Sequence, residues 1–242
     1  MKRLLAAPFS LAISLMGVFF LLAAPAFGQI AKDGELNPFF GVSAHTKNQF
    51  QIGFPQAAPP IEAKFELADA LRYGVRFNVA NNGHWGQEFF YSYEHNRARY
   101  VRHFVPLNIV DLPIQIHNLG VTGLFYFTDN EQAKTRPFLS IGLGASVYKP
   151  TKEARVIAAD PAIGNMPGFG QSNEISFHYG VGFKHRINRI VGLRMDVRHF
   201  IGRNPSFSMS RRSENPGEVV FPADGAIHNV EATGGLVFYF GR

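Results

Sequence analysis

The sequence contains no cysteine, which excludes a disulfide framework, thiolate metal ligands and a cysteine nucleophile. Beyond residue 24 it also lacks any apolar run long enough for a spanning helix. The most apolar later stretch, from Phe104 to Phe127, is broken by Pro106, Asp111, Pro113, His117 and Asn118. There is no internal repeat, heptad pattern or low-complexity tract. The nine histidines are scattered without the spacing of a zinc site, and no glycine-rich phosphate loop joins a strand to a helix. No metal or cofactor is therefore expected. Strong charge of one sign is missing too. Removing Lys2 and Arg3 from the 24 basic residues leaves 22 against 18 acidic ones, which gives no reason to expect a nucleic-acid partner.

What is present begins at the N-terminus. Lys2 and Arg3 precede an apolar stretch from Leu11 to Ala24, and Ala26-Phe27-Gly28 is a small-x-small site. This is the pattern of an export signal over residues 1–28, cleaved before Gln29. An uncleaved anchor is the alternative, but the apolar stretch is short for one. Gln29 in place of a cysteine argues against a lipoprotein.

Residues 29–242 then read as one domain built from segments of about ten residues with period two, the length a tilted strand needs to cross a bilayer. Eight are expected: Leu36–His45, Ala70–Ala80, Gln87–Asn96, His117–Thr128, Arg136–Lys149, a hairpin of two strands around Asn188-Arg189, and Ile227–Phe240. The hairpin is the clearest. Ile175, Phe177, Tyr179, Val181 and Phe183 alternate with Ser176, His178, Gly180, Gly182 and Lys184. Leu193, Met195 and Val197 then alternate with Arg194, Asp196 and Arg198. In the second segment Leu71, Tyr73, Val75, Phe77 and Val79 form the apolar face.

Connection lengths alternate. Asn81–Gly86, Asp129–Thr135 and Ile187–Arg189 are short, whereas Thr46–Asp69, Arg97–Ile116, Pro150–Ser172 and Gly202–Ala226 are long. Short turns at one end and long loops at the other are the layout of an outer-membrane barrel. A water-soluble barrel with an apolar interior shows the same alternation, but not the export signal and the sorted loops together. The expected fold is all-β: a closed eight-stranded antiparallel up-and-down transmembrane β-barrel, apolar outside and polar inside.

Such a barrel is just wide enough to be filled by side chains, so the charged face predicts a lumen network of Arg72, Arg76, Glu94, Lys184, Arg194, Asp196, Arg198 and Glu231. Arg76, Arg194 and Arg198 are expected to pair with Glu94, Asp196 and Glu231, and glycines on that face to make room for them. Tyr73, Tyr91, Tyr93, Phe127 and Tyr179 are candidates for interfacial girdles. His185 and His199 fall on the apolar face near strand ends, where a polar partner is within reach.

The run Arg136-Pro-Phe-Leu-Ser-Ile-Gly-Leu-Gly-Ala, the run Tyr179-Gly-Val-Gly-Phe-Lys and the ending Gly235-Leu-Val-Phe-Tyr-Phe240 complete the pattern. With the signal and the eight segments, they resemble the small outer-membrane barrels of the OmpA-like and opacity types across essentially all of 29–242. The resemblance implies a place in the bacterial outer membrane as a monomer among lipid and lipopolysaccharide. It also implies a terminal strand read by the barrel-assembly machinery, although Gly241 and Arg242 follow the last aromatic here. A structural or surface-interaction role, presenting four long external loops, is expected rather than an enzyme; the external ligand is left open. Arg97, Arg99, Arg102, Arg203, Arg211 and Arg212 are the loop candidates for lipopolysaccharide phosphates. Two alternatives stand beside this. One is a lipid A deacylase-type enzyme, whose His-x-Ser pair has no counterpart after His199. The other is a narrow pore.

Overall fold

The computed structural model describes residues 34–45, 50–52, 63–102, 108–160, 163, 166–209 and 225–240. The expected signal (1–28) lies outside them. The elements are β1 (Gly34–His45), β2 (Phe50–Ile52), β3 (Ala63–Leu67), β4 (Ala70–Asn82), β5 (Trp85–Arg102), β6 (Asn108–Tyr126), β7 (Thr135–Pro150), α1 (Lys152–Ala159), β8 (Ser172–Arg186), β9 (Val191–Arg203) and β10 (Ala226–Phe240). Eight strands form a closed antiparallel ring in the order β4-β1-β10-β9-β8-β7-β6-β5, with β5 returning to β4. Closure joins the two ends of the chain, Gly34 pairing with Phe240 at one rim and His45 with Asn229 at the other. The ring thus leaves no unpaired edge, which a strand structure in lipid requires.

Burial inverts the soluble pattern. Outward-facing Phe40, Leu71, Ile141, Val181 and Met195 are each more than half exposed, while inward-facing Arg72, Arg76, Arg194 and Arg198 are almost wholly buried. The apolar side therefore faces out along the strands, as period two allows. Val79 is the exception: it is buried because a register shift between Asn78 and Ala80 against β5 disrupts the alternation.

The three short connections use compact turn chemistry. Gly83 takes φ +56, a left-handed conformation that glycine adopts without steric penalty. Asn188 Oδ1 accepts from the backbone N–H groups of Ile190 and Val191, both at 2.8 Å, and Asn130 Oδ1 accepts from Gln132 N at 2.9 Å.

The opposite end differs from the expectation. Arg97–Ile116 is not a long loop: β5 and β6 continue as a ladder to Arg102 and Asn108. β3 carries on the track of β4 beside the extension, pairing with β5 over Ala63–Leu67, and β2 pairs with β3. Pro113 is tolerated in this ladder. Its carbonyl accepts from Thr151 N at 3.1 Å, so its nitrogen points the same way, past the last β6–β7 pair at Ile114 and Pro150. No ladder bond is lost there.

The inner face of the extension is apolar. Ala98, Val110, Leu112, Ile114 and Ile116 cluster with Ala154 and Ala158 of α1 and with Met166, Phe169 and Phe207. Phe207 sits at φ +50, an unfavourable backbone for a bulky residue. It is fully buried, stacked on Phe169 at 4.8 Å with Tyr148 edge-on at 6.2 Å. The connections expected to be open loops thus build an apolar cap over the barrel mouth. Thr151 starts α1 by accepting from Ala154 N at 3.1 Å. Thr151→Ala is expected to cost about 1 kcal/mol of helix stability, read as faster amide exchange across residues 154–158 with the barrel strands unchanged.

Candidate functional site

The lumen holds one continuous ionic chain. Glu94 accepts from Arg72 (Nη2, 2.6 Å), and Arg72 Nη1 also donates to Glu231 at 2.7 Å. Glu231 reaches Arg76 at 3.0 Å, and Arg76 reaches Asp196 at 3.1 Å. Asp196 pairs with Arg194 (2.8 Å) and Arg198 (3.3 Å), both of which meet Glu88, at 2.5 and 2.7 Å. A second pair, Lys184 with Glu35, lies toward the short-turn end, where Lys184 also donates to the Tyr126 hydroxyl at 2.6 Å. All eight lumen residues expected from the sequence face inward and are buried. Their partners are partly different: Glu94 serves Arg72, and the carboxylate shared by Arg194 and Arg198 is Glu88 as well as Asp196. Glu88 and Glu35 were missed. Glu88 has the inward parity of Phe90, Ser92 and Glu94, and Glu35 precedes the expected start of the first strand, so parity extended by one or two residues finds both.

In these two networks five cations meet five carboxylates, so none of their members is an unpaired ion, the main objection to burying charge. Inward aromatics cover the flat faces of the guanidiniums. Arg76 lies 3.6 Å over Phe39, Arg194 4.7 Å over Phe138, Arg72 5.6 Å from Phe200 and Arg198 5.8 Å from Phe90. Carboxylates thus take most of the edges and rings the faces, while Arg76 Nε and Arg198 Nε have no hydrogen-bond partner and carry part of the cost of leaving water. Glycine supplies the room: a Cβ on Gly182 would stand 2.5 Å from the Asp196 Cβ, and one on Gly142 2.5 Å from His178 Nε2.

Position in the ring gives the chain its consequence. β5 and β9 are four strands apart in a ring of eight, so they face each other across the lumen. Glu88 on β5 bonded to Arg194 and Arg198 on β9 therefore spans the full width. Above it, His45, Asn118, Ser146, Ser176 and Asn229 form a hydrophilic layer around a small cavity, roofed by Ile116, Tyr148 and Ile227 of the cap region. Below it, Leu124, Tyr126 and Phe138 pack together. Arg136 lies 3.9 Å over the Tyr126 ring and donates to the Gly83 carbonyl at 2.7 Å. The lumen is filled at three levels by three kinds of packing.

Outside, Tyr–His pairs mark the rim toward the cap. Tyr91 meets His117 at 2.8 Å, and His199 meets Tyr179 at 2.8 Å and His228 at 3.0 Å. At the other rim Trp85, Phe125 and Phe127 pack edge to face, and His185 meets Thr135 at 2.9 Å. Of the expected loop arginines, Arg97 and Arg99 stand on the outer face of β5, Arg99 paired with Asp111 at 3.1 Å. Arg203 ends β9, exposed. Only the backbone of Arg102 is described, and Arg211 and Arg212 lie outside the described residues.

No family model matches the chain, and no curated protein matches it in sequence. Among solved structures it is similar to the outer membrane protein OprG from Pseudomonas aeruginosa. That alignment has 11% identity and a TM-score of 0.58, covering 88% of this chain and 98% of that one. Neisserial surface protein A aligns at 11% identity over 87% and 97% of the two chains with a TM-score of 0.44. The N-terminal β-barrel domain of Pseudomonas aeruginosa OprF aligns at 10% identity over 86% and 98% with a TM-score of 0.41. At such identities the OprG likeness is one of architecture. Together with the apolar exterior and the buried charges, it shows this chain to have the fold of the small eight-stranded barrels of the bacterial outer membrane.

Proposed function

We propose that the chain works in the outer membrane as a closed barrel with a structural or surface-interaction role, and that it neither conducts nor catalyses. The observation that carries this is the bridge from Glu88 to Arg194 and Arg198 across the full width of the lumen. A barrel bolted in that way offers solutes no path, so its capacity to act lies on its outer surfaces and on the capped end. In this reading its partners are outer-membrane lipid, lipopolysaccharide among them, and the barrel-assembly machinery that engages β10, and it acts as a monomer. Planar-bilayer recordings of the purified protein are expected to show no large, steady openings; stable conductance of porin size would overturn the proposal.

The Tyr91–His117 and Tyr179–His199 pairs at the cap rim carry phenols, so among the described residues the enzyme alternative has two pairs of an aliphatic hydroxyl with an imidazole to consider. Thr122 and His178 meet at 2.9 Å inside the lumen, with the Phe90 and Phe200 rings against the imidazole. Thr135 and His185 meet at the short-turn rim. A lipid-modifying site needs its nucleophile and base where the outer-leaflet lipid can reach them, and neither pair is there. Lipid A incubated with the refolded protein is expected to keep its mass; loss of an acyl chain would favour the enzyme.

A further inference from the structure

Strand register sorts the outward face of β5, β6 and β7 into rows. Tyr91, Leu119 and Ala145 stand side by side, followed toward the cap by Tyr93, His117 and Val147. The next row is His95, Gln115 and Lys149, and above it Arg97 stands beside Pro113. The row beyond is Glu66, Arg99 and Asp111. Along β6, ten residues separate Phe127 at one rim from His117 at the other. At the rise and tilt of barrel strands they span about 25 Å, the height of the apolar band of an outer-membrane barrel. The His117 row therefore marks the end of the hydrocarbon, and the two rows above it lie at headgroup level.

The basic side chains in those two rows are available. His95, Arg97 and Lys149 are exposed, and no ion pair holds them among the described residues. Arg99 is different, because its row sets it between Glu66 and Asp111 and leaves that level net negative. The other wall is different too. There Tyr179, His199 and His228 lie at the girdle, and Phe177 and Ile201 share a row with His228. The graded sequence of apolar, Tyr/His, cationic and then acidic rows belongs to the β5–β7 wall.

We propose that this wall is a docking site for a phosphorylated lipid of the outer leaflet. The proposal rests on the outer-membrane reading above. Acyl chains lie along Tyr91, Leu119 and Ala145, and the Tyr93–His117 row meets the polar backbone of the headgroup. A phosphate is held between Arg97, which can grip two oxygens at once, and Lys149, a point charge one row below, with His95 beside them. The acidic row of Glu66 and Asp111 limits the site on the far side, so the phosphate sits at one height and not anywhere up the wall.

The test uses the full chain in detergent, with bound lipid counted by native mass spectrometry. The probes are diphosphorylated lipid A and the same lipid with both phosphates removed. The wild-type barrel is expected to prefer the phosphorylated form about thirtyfold, the effect of roughly two cations near an anionic headgroup. Changing His95, Arg97 and Lys149 together to Ala should abolish the preference while leaving the dephosphorylated lipid bound as before. Arg189→Ala, exposed in the short turn at the opposite end, should keep it. Millimolar inorganic phosphate should not compete, because it has no chains to lie on the apolar rows. Equal binding of the two lipids by the wild type overturns the proposal, as does full competition by inorganic phosphate, or a retained preference in a triple variant that still migrates as a folded barrel when unboiled. The wild-type comparison decides the matter alone if the triple variant does not fold. If the wild-type chain shows no heat-modifiable band in an outer-membrane fraction, it is the outer-membrane reading that fails instead.

Discussion

Glu88→Ala should remove about 3–5 kcal/mol from the folded barrel, the cost of breaking a buried ion pair by deleting one partner. Glu88 is fully buried and accepts from Arg194 and Arg198 on the opposite wall, with Arg76 Nε 3.9 Å away. Its loss leaves three guanidiniums leaning on Asp196 and Glu231 in a space sealed above by the apolar cap and below by Tyr126 and Phe138. Glu88→Gln separates charge from volume. It keeps an acceptor oxygen but turns an amide donor toward a guanidinium, so it should fall between wild type and Ala. The midpoint is read as the temperature at which the folded band disappears from an unboiled gel, or by urea titration in lipid vesicles. Arg99→Ala, which breaks an exposed pair, should leave that midpoint unmoved. Equal midpoints for wild type and Glu88→Ala would mean that the chain across the lumen contributes nothing to holding the barrel closed.

The barrel was legible in the sequence because a lipid-facing strand obeys a strict rule over its whole length. Each of the eight expected segments overlaps a strand of the ring, and the apolar face assigned to Ile175, Phe177, Val181, Leu193, Met195 and Val197 is the outward one. Period two resolved the lumen side chains for the same reason. It could not resolve their pairing, since partners across a barrel depend on strand number and stagger, which alternation does not encode. The cap was illegible for a different reason. Its apolar residues are spread among five strands, α1 and two connections, and the proline at 113 and the aspartate at 111 looked like the interior of a loop. Only the packing of Ala154, Phe169 and Phe207 over Leu112 and Ile114 shows why the ladder continues through them. Val79 failed locally, where one register shift defeats parity.

Val181→Arg tests the inversion of inside and outside on which every functional statement depends. Val181 is 56% exposed on β8, in a row with Leu139 and Val197, near the middle of the apolar band. In a water-soluble barrel an exposed valine on a strand can become arginine for about 0.5 kcal/mol or less. On a lipid-facing wall near the bilayer midplane the same change should cost about 2–4 kcal/mol. Ile109→Arg supplies the comparison at another height. Ile109 is 54% exposed, but it stands on the extension of β6 beyond the His117 row, so it should tolerate arginine within about 0.5 kcal/mol. Urea unfolding of both variants in lipid vesicles reads the difference. The two sites are alike in chemistry and exposure and differ in depth, so a penalty at 181 and none at 109 can come only from the hydrocarbon around the barrel. Equal tolerance at both positions would return the apolar face to water and leave the buried charges without a reason.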